Sequence, residues 1–168
     1  KALLEQCRKN IASYFNVTAS EIVFTSGGTE ADNLALRSVV RDLGISEIIT
    51  SRIEHHAVLH TAEQLQKEYN IEIKYVDIDT CGFINYEHLE QLLSSSNNAV
   101  VSLMHVNNEV GNILDIERVA KLCKVHNTLF HSDMVQSVGH YKLDLQEIPI
   151  DFFAASAHKF HGPKGVGF

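Results

Sequence analysis

Ala99-Val100-Val101-Ser102-Leu103-Met104 is apolar at every position but Ser102. A strand with one wet face alternates, so a run without alternation predicts a central strand covered on both sides, as in a parallel sheet between helices. Outward from it, Glu47–Ser51, Thr128–Ser132 and Asp151–Ala155 are expected strands, and Glu21–Ser26 is a shorter β-rich run. Ile71–Val76 does alternate, with Ile71, Ile73 and Tyr75 against Glu72 and Lys74, as an edge strand should.

Helical spacing fills the intervals. Leu4, Ile11, Ala12 and Phe15 mark a helix over Leu3–Phe15, and Leu36, Val39, Val40 and Leu43 stripe one that opens at Thr29 or Glu30. Further helices run to Tyr69, carry Leu89, Leu92 and Leu93, and span Ile116–Val125, where Cys123 falls on the core side with Ile116, Val119 and Ala120. Strand and helix alternate, which gives an α/β architecture with a mostly parallel sheet, flanking helices and right-handed crossovers.

The chain has 168 residues, 45% of them hydrophobic, enough for one core, and a formal net charge of -7. That balance argues against nucleic acid, whose recognition rests on neutralising phosphates. No apolar run is long enough to span a membrane and no signal peptide precedes the first helix. Cys7, Cys81 and Cys123 are odd in number and widely spaced, which fits reduced thiols in a cytosol-like compartment and a cytoplasmic location. His56 and His60 have the i, i+4 spacing of a metal pair, but no carboxylate or cysteine completes a ligand set, so no metal is expected. Lys1-Ala2-Leu3-Leu4 begins inside a helical pattern and Gly165-Val166-Gly167-Phe168 stops as a strand begins. Both ends therefore read as cut, and 1–168 as part of a longer protein.

Ligands of open parallel sheets lie beyond the carboxyl ends of the strands. Five expected strands deliver polar residues there: Ser26 to Thr29, His55, Asn108, Asp133 with Gln136, and Ser156 with His158 and Lys159. Ser26-Gly27-Gly28-Thr29 ahead of a helix start offers free N–H groups to an anion. An amine, a carboxylate, a flat imidazole and an anion cradle match the needs of pyridoxal phosphate: a Schiff-base lysine, a partner for the ring nitrogen and a phosphate site. No Walker or dinucleotide glycine motif is present. Ser156, His158 and Asp133 could be written as a hydrolytic triad, but Ser156 lacks the GxSxG elbow and Lys159 would have no role.

The stretches Thr25-Ser26-Gly27-Gly28-Thr29-Glu30-Ala31-Asp32-Asn33, Glu54-His55-His56-Ala57-Val58, Met104-His105-Val106-Asn107-Asn108-Glu109-Val110-Gly111, Asp133-Met134-Val135-Gln136 and Ser156-Ala157-His158-Lys159-Phe160-His161-Gly162-Pro163-Lys164-Gly165 together resemble the cysteine desulfurase branch of the class-V aminotransferases. The resemblance implies an aspartate aminotransferase-like large domain (pyridoxal phosphate fold type I), truncated at both ends, with the N-terminal segment and the small C-terminal domain absent. It implies Lys159 as the Schiff-base lysine and Asp133 as the group that keeps the pyridine nitrogen protonated. His55 would stack on the ring and move protons, and Gln136 would bond the ring hydroxyl. Gly28, Thr29, Ser156 and His158 would hold the phosphate, and Asn108 would lie near the substrate carboxylate. The implied reaction takes sulfur from L-cysteine, leaves L-alanine and charges an enzyme cysteine as a persulfide that feeds a sulfur-acceptor protein and iron–sulfur cluster assembly. None of the three cysteines here occupies the family's mobile-loop motif, so the isolated chain is expected to be unable to complete turnover. The family's enzymes are homodimers, and alanine is common where this chain has Gly28. Rival readings are a selenocysteine lyase or small-amino-acid aminotransferase on the same site, and a non-catalytic binding domain that keeps the fold alone.

Overall fold

The computed structural model describes all residues 1–168. In chain order the elements are α1 (Ala2–Phe15), a 3₁₀ turn (Ala19–Glu21), α2 (Gly28–Arg41), β1 (Glu47–Thr50), α3 (His56–Tyr69), β2 (Glu72–Tyr75), α4 (Tyr86–Ser94), β3 (Ala99–Ser102), α5 (Ile116–Val125), β4 (Leu129–Asp133), β5 (Phe152–Ala154) and a 3₁₀ turn (Ala157–Phe160). The strands form one parallel sheet in the order β2-β1-β3-β4-β5.

The unalternating run takes the central position expected of it, and all four β3 residues are buried. Its successive residues face opposite layers. Val101 packs with Leu89, Leu93, Val119, Cys123 and Phe130 beneath α4 and α5. Val100 packs with Ile48, Leu36, Val39, Val58 and Leu65 beneath α2 and α3. Each fully buried aliphatic side chain contributes about 1.5–3 kcal/mol, so the two-sided core is what selects a parallel sheet here. β2 is an edge strand, as its alternation predicts, and β5 forms the other edge. Helix starts are fixed by side chains: Asn85 Oδ1 accepts the N–H groups of Glu87 and His88, and Asp115 Oδ1 that of Arg118.

Three expectations are corrected. Glu21–Ser26 does not form a strand of the sheet: only Thr25 pairs, in a single antiparallel bridge to Gly167, which also bridges Ser156. A β-rich run needs a neighbouring backbone of its own length to build a ladder, and here the partner is one residue long. Helix and strand do not alternate between β4 and β5, where the parallel crossover is made of turns over Met134 to Pro149. Leu43 is exposed, because α2 ends at Arg41 and the stripe stops with it.

Candidate active site

At the carboxyl edge of the sheet β4 ends on Asp133, which is only 4% exposed. Its Oδ1 accepts the Val135 N–H at 2.9 Å, a local turn that aims the carboxylate across the edge. Burial, reinforced by repulsion from Asp32, pushes its pKa up to about 6, while the Val135 N–H, His131 and His55 pull against that rise. Asp133 thus lies within electrostatic reach of His55, which comes from a different loop.

His55 is the N-cap of α3, its Nδ1 accepting the Ala57 N–H at 3.1 Å. That bond leaves Nε2 as the nitrogen that carries the proton in the neutral ring, and it fixes the ring's orientation.

The start of α2 supplies the anion cradle. The N–H groups of Gly28, Thr29 and Glu30 donate to no carbonyl of the chain, and the first helical bond into the turn is from Ala31 to Gly27. A Cβ built at Gly28 would stand 2.4 Å from Val135 Cγ2 and 3.6 Å from Ser156 Cβ. The missing side chain thus lets the helix start, the turn after Asp133 and Ser156 beyond β5 close on one another. Ser156 is buried and its hydroxyl lies 2.9 Å from His158 Nδ1. Gln136 sits half-buried in the turn after Asp133.

The side chains of three predicted members are exposed. Thr29 is exposed and its hydroxyl makes no hydrogen bond. Asn108 is exposed and its amide donates to its neighbour Glu109 at 2.7 Å rather than to any other site residue. Lys159 is exposed as well. The 3₁₀ turn that carries it leads into His161, at φ 68°, and Pro163, which take the chain over the sheet edge into solvent. The Lys159 backbone is nonetheless fixed, its N–H donating to Ser156 O and its carbonyl lying 3.0 Å from His140 Nε2.

Beneath the edge lies a polar layer that residue types and spacing do not reveal. Glu54 is buried, with Oε1 accepting the Ser51 hydroxyl at 2.7 Å and Oε2 the Met104 N–H at 2.8 Å. Burial, with Asp133 and Asp32 adding, pushes its pKa up to about 8. Asp32 and His131 are buried as well. For Asp32 a signal exists, since it stands four residues before Leu36, in line with the apolar stripe of α2. His131 lies inside an apolar strand run. Nothing in sequence marks Glu54 as buried. Cys123 is core, as expected, and burial pushes its thiol up to about 12, beyond the reach of nucleophilic chemistry.

The aminotransferase class-V profile matches residues 1–168. The chain belongs to the aminotransferase class-V family. Its groups at the sheet edge, an anion cradle, a buried acid and a lysine, fit the pyridoxal phosphate on which this family's enzymes depend. Among its class-V relatives it is 42% identical over 170 residues to the cysteine desulfurase IscS of Clostridium botulinum (strain Kyoto / Type A2), covering 99% of this chain and 42% of that protein. It is 42% identical over 168 residues to the putative cysteine desulfurase IscS 1 of Bacillus subtilis (strain 168), covering 98% and 44%. A NifS-like protein superposes with a TM-score of 0.90 at 41% identity, over 97% of this chain and 45% of that one. SspA, solved in complex with cysteine, gives 0.90 at 33% identity over 97% and 47%. The chain thus spans less than half the length of the relatives it matches. No helix is long and apolar enough to cross a membrane.

Proposed function

We propose that this chain is the cofactor-binding part of a pyridoxal phosphate-dependent cysteine desulfurase. The observation that carries the reading is the closure of α2's free N–H groups, Ser156 and buried Asp133 on one edge, next to the backbone-anchored turn of Lys159. Similarity to proteins named cysteine desulfurase along 98–99% of the chain supports it.

In this reading the N–H groups at Gly28 and Thr29, with the Thr29, Ser156 and His158 side chains, hold the phosphate at the positive end of α2. Asp133, largely ionised at neutral pH with a pKa of about 6, keeps a proton on the ring nitrogen facing it. His55 would hold the ring through its imidazole, and Gln136 would donate to the ring hydroxyl oxygen. The Lys159 amine would hold the cofactor's aldehyde carbon and would move the proton at the substrate Cα; Asn108 would meet the substrate carboxylate. Bound pyridoxal phosphate supplies the electron sink that makes the substrate's Cα proton removable.

In the net reaction the Cβ–S bond of L-cysteine breaks, the sulfur passes to an enzyme thiol as a persulfide, and Cβ takes up a proton to give L-alanine. Cys7, Cys81 and Cys123 do not take the thiol role in this reading, and the chain alone does not complete turnover. The proposal extends to a homodimeric large domain, a cytoplasmic location and a protein that accepts the sulfur for iron–sulfur cluster assembly; the relatives' IscS and NifS-like names and the SspA complex with cysteine support the substrate and the acceptor.

Incubation with pyridoxal phosphate, borohydride reduction and peptide mass spectrometry tests the reading. The adduct is expected on Lys159 and is expected to vanish in Lys159→Ala. An adduct of equal yield at another lysine in that variant overturns it.

A further inference from the structure

Asp32 and His131 are 1% and 0% exposed, yet neither Asp32 Oδ1 nor His131 Nε2 has a conventional hydrogen-bond partner. The two atoms face each other at 3.4 Å. The other ring nitrogen, Nδ1, lies 2.9 Å from the hydroxyl of Ser102, the residue directly opposite on β3. Two buried polar atoms left to each other alone are costly, and a geometry that leaves them so calls for a role.

Position supplies one. His131 is two residues before Asp133 on β4 and therefore on the same face of the strand. Asp32 is four residues after Gly28 on α2, on the same side of the helix as the anion cradle, and α2 packs on β4 and β5. The pair thus links the element that presents the cradle to the strand that presents the acid.

We propose that Asp32 and His131 share one buried proton and, as a net-neutral unit, set the charge of Asp133. Whether the proton rests on Asp32 or on His131, the unit carries no net charge; without that proton it carries one negative charge close to Asp133. Asp32 acts to hold the Asp133 proton on, and His131 acts to release it. The other titratable groups around this centre are Glu54 and His55, just ahead of α3, and buried His105 after β3, whose backbone N–H donates to the Asp133 carbonyl at 3.0 Å. Both members of the pair act through Asp133 and are positioning residues. The inference rests on the proposed role of Asp133 opposite a ring nitrogen, but its test needs no cofactor, so the two can fail separately.

The measurement is the titration of the Asp133 side-chain carboxyl carbon by NMR in the full chain without cofactor, assigned by its loss in Asp133→Asn. Asp32→Asn is expected to lower the Asp133 midpoint and His131→Gln to raise it, each by at least about threefold in proton affinity, roughly half a pH unit. The double variant puts a neutral pair in place of a neutral pair and returns the midpoint toward the native one. Loss of packing alone would shift both single variants in one direction or neither, and either result overturns the inference. Where a single variant does not fold, the native chain decides. The Asp32 carboxyl carbon and the His131 ring nitrogens must titrate at one shared midpoint that is also visible at Asp133, and separate midpoints overturn the proposal.

Discussion

The floor and the lip of the site are built by different rules. The floor, made of Asp32, Glu54, His131 and Asp133, is buried and held by the sheet and by side chains bonded across strands. The lip, made of Thr29, Asn108 and Lys159, is exposed and each side chain is free or bonded only to a neighbour. Groups that must tune charge need low dielectric and fixed geometry, whereas groups that must reach a substrate need freedom to move. Substitutions in the floor should therefore disturb stability and its pH dependence, and those in the lip should leave both alone.

The largest effect is expected from Glu54. Its carboxyl binds a proton in the folded chain up to about pH 8, against an ordinary value of 4.5 when unfolded. A raised folded value means stability that is complete below about pH 4.5 and lost as the pH rises through about 8, because ionising Glu54 in place must repay its desolvation. Urea denaturation between pH 5 and pH 8.5 should show stability falling by a few kcal/mol at most, with Asp133 contributing at the acid end through its rise to about 6. Glu54→Gln keeps the shape and removes the titration, so its curve should be flatter over that window. An equally steep curve in the variant would remove Glu54 from the floor.

Gly28 joins floor to lip, and its effect should be intermediate. A methyl group there meets Val135 Cγ2 at 2.4 Å, closer than carbon atoms can stand. Gly28→Ala should cost about 1–3 kcal/mol by overpacking and should weaken pyridoxal phosphate binding. Gly28→Ala with Val135→Ala should recover most of both losses in thermal denaturation and cofactor titration. Full tolerance of the single change would mean that the cradle and the turn after Asp133 move independently. The recovery would also show that the residue at 135 sets what fits at 28.

The same division governs what the amino-acid sequence discloses. The strands near the core announce themselves, since Ala99–Met104 and Ile71–Val76 differ in alternation and the sheet places them centre and edge. The lip is legible too, because exposed polar residues after apolar runs stand out as residue types. What stays hidden depends on contacts across the chain. Glu21–Ser26 has strand composition, but its ladder depends on a partner that sequence does not reveal. Glu54 and His131 acquire their character from burial alone, and residue type argues against burying either. Asp32 is half legible through its register with Leu36. Lys159 falls in the turn that follows β5, beyond the strand's carboxyl end, while its exposure follows from the path of the chain through His161 and Pro163.

The smallest effect tests the lip alone. Asn108 donates only to Glu109, and both residues are exposed. The exposed amide contact contributes little, because water competes for both groups, and Asn108→Ala should change stability by less than about 0.5 kcal/mol. Cofactor affinity should also hold, since Asn108 is proposed to meet the substrate carboxylate and not the ring or phosphate. Binding of an amino acid should instead weaken, by about 1.5–3 kcal/mol if a hydrogen bond to a charged carboxylate is lost. Thermal denaturation, pyridoxal phosphate titration and amino-acid titration of the loaded protein separate the three quantities. A loss of stability or cofactor affinity as large as that of Gly28→Ala would mean that Asn108 is packed against the floor when the site is filled, and the contrast between the two regions would then hold only for the chain without ligand.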